Sequence, residues 1–81
     1  MTHHDYLTGL GFTLEDGVDY YQKMMVDRRV VVRPARVTLH HMAYAHGVGW
    51  VNHYYSVQYT SRDELELAVI YQTLRPLEND P

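Results

Sequence analysis

The sequence predicts a two-layer α+β domain: an antiparallel meander of three to four strands, a short N-terminal helix, and a C-terminal helix packed on one sheet face. Three observations predict it. Residues 50–59 contain neither Gly nor Pro and are dominated by aromatic and β-branched side chains, which suit a pleated, half-buried surface. Their odd positions (Val51, His53, Tyr55, Val57, Tyr59) are more apolar than the even ones, the period of two expected of a strand. Directly afterwards, Ser61-Arg62-Asp63-Glu64 matches a capping box ahead of an apolar run, a helix start. Turn signals break up the stretch before residue 50, at Glu15-Asp16-Gly17, Asp27-Arg28-Arg29 and His46-Gly47.

Taken in order, residues 2–10 read as a short helix capped by Thr2, with Asp5 favourably placed in its first turn. Tyr6, Leu7 and Leu10 share one face; Gly9 and Gly11 weaken and end the helix, and Phe12 drops into the core. Residues 18–26 read as a strand with Tyr20, Met24 and Val26 inward. A three-residue turn at Asp27-Arg28-Arg29 would pair Val26 with Val30 and Met24 with Val32, keeping apolar residues on one face. From residue 30 to 42 the inward parity changes, from Val30 and Val32 to Val37, Leu39 and His41. Pro34 cannot donate to a ladder, so a bulge or break there should split the segment into two strands. Residues 43–49 read as the loop of a hairpin, with Met42 opposite Trp50. The last helix should run from 62 to 74, ended by Pro76, with a loose tail at 77–81 beyond a single domain at 1–76. Leu67, Ile70, Tyr71 and Leu74 form one face of that helix, expected to be inward. Leu65 and Val69 lie opposite, covered by the N-terminal helix or meeting a second subunit.

Composition narrows the function classes. With 81 residues and no cysteine, the chain has neither disulfides nor a thiolate zinc site, and its core is small enough that association with another chain is expected. No apolar run reaches the length of a membrane span, and the start Met1-Thr2-His3-His4-Asp5 has no secretory pattern, so a cytoplasmic location is expected. A formal charge of −3 argues against direct nucleic-acid binding by bulk electrostatics. Eight tyrosines supply apolar bodies with polar tips, which suit surfaces that meet partners.

Three constellations carry candidate chemistry. His41, His46 and His53 have the imidazoles a transition metal takes, but His40 and His41 point to opposite faces of a strand, and no carboxylate lies between Asp27 and Asp63. No cofactor is expected; half-buried histidines bonded to tyrosines are the simpler reading. His41 or His53 as acid or base, with Arg33 or Arg36 on a phosphate, would make a small metal-free nuclease. Third comes the arginine group Arg28, Arg29, Arg33 and Arg36; on the even face of the predicted hairpin Arg36, Thr38, His40, Trp50, Asn52 and Tyr54 lie together, with the arginine and aromatic composition of interface hot spots. The acidic Asp63, Glu64 and Glu66 collect on the last helix, where carboxylates could compete for a nucleic-acid groove.

The layout, Tyr6-Leu7…Leu10-Gly11-Phe12 leading into a tyrosine-rich meander and a terminal Ser61-x-x-Glu64 helix, resembles small phage- or prophage-encoded proteins, among them the anti-CRISPR proteins. The resemblance is one of layout along the chain and transfers no functional residue. It implies a non-catalytic inhibitor that occupies the surface of a protein or nucleoprotein complex in a host cytoplasm. The partner-binding candidates are then Arg33, Arg36, Trp50, Asn52, Tyr54, Asp63, Glu64, Leu65, Glu66 and Val69, with a homodimer through Leu65 and Val69. The alternative is a His-dependent metal protein or nuclease using His41 and His53.

Overall fold

The computed structural model describes residues 2–77; the tail expected beyond lies, apart from residue 77, outside the described residues. The chain runs α1 (His3–Gly9), β1 (Thr13–Leu14), β2 (Tyr21–Met24), β3 (Arg29–Arg33), β4 (Arg36–Ala45), β5 (Gly49–Gln58) and α2 (Arg62–Leu74). The strands form one antiparallel sheet in chain order, β1-β2-β3-β4-β5. The α+β class therefore holds, with five strands rather than three to four. No helix is long and apolar enough to cross a membrane.

Both helices begin as their sequences dictate. The Thr2 hydroxyl accepts from the Asp5 N–H while the Asp5 carboxylate accepts from the Thr2 N–H, a complete capping box. At α2 the Ser61 hydroxyl accepts from the Glu64 N–H, but the Glu64 carboxylate reaches one residue further back, to the N–H and hydroxyl of Thr60. Arg75 leaves the helix in an extended conformation (φ −56°, ψ 127°), as the residue before a proline must.

Both helices lie on one face of the sheet, here the inner face. Leu7 of α1, Phe12, and Leu65, Ala68 and Val69 of α2 share a core with Val30, Val32 and Val37. This reverses the expected facing of α2. Leu65 and Val69 are fully buried, whereas Leu67 is 67% exposed, and Ile70, Tyr71 and Leu74 are exposed as well. The cause is the company on each stripe. Leu65, Ala68, Val69 and Gln72 are mostly small or slim, and a helix bearing Ala at its contact sits close to a sheet already filled by valines. Leu65 and Val69, expected as candidates for a homodimer contact, instead lie inside the core of the one chain.

The β2–β3 register also differs from expectation. Lys23 faces Val30 and Tyr21 faces Val32, so the odd residues of β2 point inward, and the turn is Val26-Asp27. Met24 and Val26 are exposed. The arginines read as turn residues have other tasks. Arg28, its side chain 8% exposed, binds Asp27 through two nitrogens and donates at 2.9 Å to the Gln72 carbonyl, one of the last open carbonyls of α2. Arg29 is a strand residue whose guanidinium lies over Tyr20. Replacing Arg28 with Ala is expected to lower stability by about 1–3 kcal/mol in urea unfolding, through loss of that charged hydrogen bond.

The change of parity at Pro34 has a simple origin. Pro34-Ala35 is a two-residue hairpin turn between Arg33 and Arg36, so Val30 and Val32 face Leu39 and Val37 across it. The expected break is present as a full reversal rather than a bulge. Ala35 has φ 73°, a left-handed conformation that fits the second central position of a type II turn and favours glycine. Ala35→Gly should therefore stabilise the protein by about 0.5–1 kcal/mol, read as a raised urea midpoint at unchanged slope.

Candidate functional site

The β4–β5 hairpin is longer than its sequence suggested. All ten residues of β4 pair with β5, and the loop shrinks to His46-Gly47-Val48, with Gly47 and Gly49 at positive φ. The register is offset by two from the one expected. Met42 faces Asn52, Tyr44 faces Trp50, and His41 lies directly opposite His53 instead of diagonal to it.

With both helices on the inner face, the outer face of the sheet carries no helix. The β4–β5 register brings Arg36, Thr38, His40, Trp50, Asn52 and Tyr54 onto this face, and Arg33 adjoins Arg36 from β3. Trp50 is 68% exposed, so α1 does not cover it. The ring of Tyr54 meets His40 edge-on at 4.7 Å, and Tyr44 meets Trp50 at 5.6 Å. Nearer β2, the Arg33 guanidinium lies 4.5 Å over the Tyr20 ring and Arg29 lies 6.0 Å from it. Tyr20 thus spans the position of Val31, which is fully buried although it points outward. Thr38 and Ser56 share a hydroxyl hydrogen bond of 2.9 Å in the middle of the face.

The charge on this face is positive and unevenly compensated. Arg29 donates to Gln22, which donates to Glu15, and Arg33 stands 4.0 Å from Asp19. Arg36 has no carboxylate partner among the described residues. Burial, with Arg29 and Arg33 close by, holds the His40 imidazolium pKa below its ordinary value. The sign follows directly. The unfolded chain binds this proton more readily, so the contribution of His40 to stability is complete above the ordinary histidine range and is lost as pH falls through its folded value. NMR titration should give His40 a midpoint below that of an unfolded peptide, rising in Arg29→Gln. A shallow hollow of about 430 Å³ opens beside it, its walls including Met24, Val26, Arg29, His40, Met42 and Tyr54. Met24 and Val26 were read as inward from sequence; their exposure follows from a β2–β3 turn of two residues instead of three.

The other candidates are placed as follows. His41 is buried; its Nδ1 lies 3.3 Å from the Asp27 carbonyl and so carries the donated proton. Its ring stacks on His53, which stacks on Tyr55. Its Nε2 has no hydrogen-bond partner among the described residues. His46 lies in the loop at the hairpin tip, and no group of three metal-type side chains forms among the described residues. On α2, Glu64 is occupied by Thr60 and Glu66 pairs with Arg62 at 3.6 Å, leaving Asp63 as the acidic residue with no internal task among the three.

Fold and site together define a two-layer α+β domain that keeps one sheet face open, with arginine and aromatic side chains displayed on it. No family model, curated protein or solved structure matches the chain.

Proposed function

We propose that this protein is a non-catalytic binding domain that docks a protein or nucleoprotein partner on the outer sheet face, through Arg33, Arg36, Trp50, Asn52 and Tyr54. The observation that carries the reading is the open face itself. An antiparallel sheet can leave one side to water, but that side is then ordinarily polar. Here it holds an exposed Trp, two exposed tyrosines and an exposed Met toward the hairpin tip, and at the opposite end Arg36, with no carboxylate partner among the described residues, beside Arg33. Exposed aromatic side chains along one half of the face and arginines at its other end, with Thr38 and Ser56 between them, have the make-up of an interface rather than of a solvated surface. An inhibitor of a host defence complex, of the phage-encoded anti-CRISPR kind, is the form of this activity that the layout favours.

The helix reading is weaker on physical grounds, since Glu64 and Glu66 serve α2 itself. The two surfaces are separated by capture of the partner from a native host extract. Trp50→Ala with Arg36→Glu is expected to lose the captured species while circular dichroism stays native. Asp63→Lys should retain it. Capture that survives the first pair and fails with the second would move the site to the helix. The competing reading, a His-dependent metal protein or metal-free nuclease on His41 and His53, is tested by metal analysis of untagged protein beside His41→Ala/His53→Ala. Stoichiometric metal that disappears in the double variant would replace the binding reading.

A further inference from the structure

The two edges of the sheet are unlike. One is β1, two residues long; the other is β5, ten residues in unbroken register with β4. An edge strand turns a row of unpaired N–H and C=O groups outward, and proteins ordinarily blunt such an edge with charge, proline, a bulge or short length. β5 has none of these: Gly49-Trp-Val-Asn-His-Tyr-Tyr-Ser-Val-Gln58 contains no Lys, Arg, Asp, Glu or Pro, and its ladder has no bulge. Among the described residues, no strand lies beyond it.

We propose that β5 is the interface for a second copy of this chain. The two β5 strands pair antiparallel about a two-fold axis at Tyr54 and join two five-stranded sheets into one.

The register follows from symmetry. Directly opposed residues of an antiparallel pair share a face, so odd residues must meet odd ones if both copies keep their helices on the same side. The residue on the axis then meets its own copy. With Tyr54 there, Val51 meets the second copy's Val57, His53 meets Tyr55, and Asn52 meets Ser56. These three pairs join side chains of like character, Trp50 meets Gln58 toward the strand ends, and no like charges oppose. With His53 on the axis instead, two imidazoles oppose and Val51 meets Tyr55.

Two further features fit this occupant. The end of α2 lies at Tyr55, where the Arg75 guanidinium sits 4.0 Å over the ring, so the half of β5 holding Val51 and His53 runs on past the helix. The Tyr54 axis lays that bare half beside the second copy's helix-covered half. The β1 edge is too short to continue the sheet, so the contact closes at two copies instead of propagating as a fibre. This inference is independent of what binds the outer face.

The test is sedimentation equilibrium across micromolar to near-millimolar protein, with thiol cross-linking. The chain has no cysteine, so each introduced thiol is unique. Opposed pairs along an antiparallel ladder alternate between close and wide spacing. One of two probes must therefore suit a disulfide: Tyr54→Cys alone, or His53→Cys mixed with Tyr55→Cys. Expected are a dimer mass, cross-linking with oxidised glutathione by at least one of these probes, and none by Leu67→Cys on the exposed helix face. Tyr54→Lys should weaken the dimer at least about tenfold with native circular dichroism, because two lysines then oppose across the axis. A monomer at every concentration overturns the proposal. So does a dimer cross-linked through Leu67→Cys, or one cross-linked by neither β5 probe.

Discussion

Leu65→Ala is expected to cost about 3 kcal/mol of unfolding free energy, while Leu67→Ala, two residues along the same helix, should change it by no more than about 0.5 kcal/mol. Leu65 is wholly buried against the sheet and α1, and its truncation leaves a void between rigid neighbours. Leu67 stands in water. Urea unfolding at one fixed protein concentration reads the difference directly. A large cost at Leu67 with little at Leu65 would mean that α2 presents its other stripe to the sheet. Val69→Ala should follow Leu65, more weakly, since fewer carbons are lost.

The second large effect is expected at Gln72, a fully buried polar residue at the join of helix and hairpin. Its Nε2 donates at 2.7 Å to the Tyr55 carbonyl and at 3.1 Å to the Val37 carbonyl, so one amide holds α2 against both long strands. Gln72→Ala removes the side-chain volume and both hydrogen bonds, and should cost about 3 kcal/mol. Gln72→Met keeps most of the volume and loses only the polar part, for an expected cost of about 1–2 kcal/mol. Equal losses in the two variants would assign the whole effect to hydrogen bonding. The gap between them is the packing contribution.

These two residues show where local pattern stops being informative. The capped start of α2, its end before Pro76 and the odd-inward alternation of β5 are legible because each depends on neighbours in sequence. Ser61 caps, Pro76 forces Arg75 to be extended, and alternate side chains of a strand point to alternate faces. The facing of α2 was not legible. Leu65/Val69 and Leu67/Ile70/Tyr71/Leu74 are both apolar, and the larger set stayed outside because the sheet's valines admit only the slimmer stripe closely.

The outer face illustrates the same division. That Arg36, Trp50, Asn52 and Tyr54 share a face follows from strand parity once a hairpin is assumed, and the two-residue error in register left parity intact. The three-residue error in the β2–β3 register, from a turn one residue shorter than expected, did not, and it turned Met24 and Val26 from expected core into exposed residues beside His40. A signal was present in Asp27-Arg28-Arg29, but Arg28 reads as a turn residue until the Gln72 carbonyl, forty-four positions away, is placed beside it.

By itself, then, the sequence determined the α+β class, both helices and their caps, the long final strand and the break at Pro34. Each rests on backbone preference or on a period within one element. Only the tertiary structure decided the Val26-Asp27 turn, which stripe of α2 is buried, and that both helices share one sheet face. Those choices depend on which surfaces fit together, a property of pairs of elements distant in sequence, and they leave the other face of the sheet and the β5 edge uncovered.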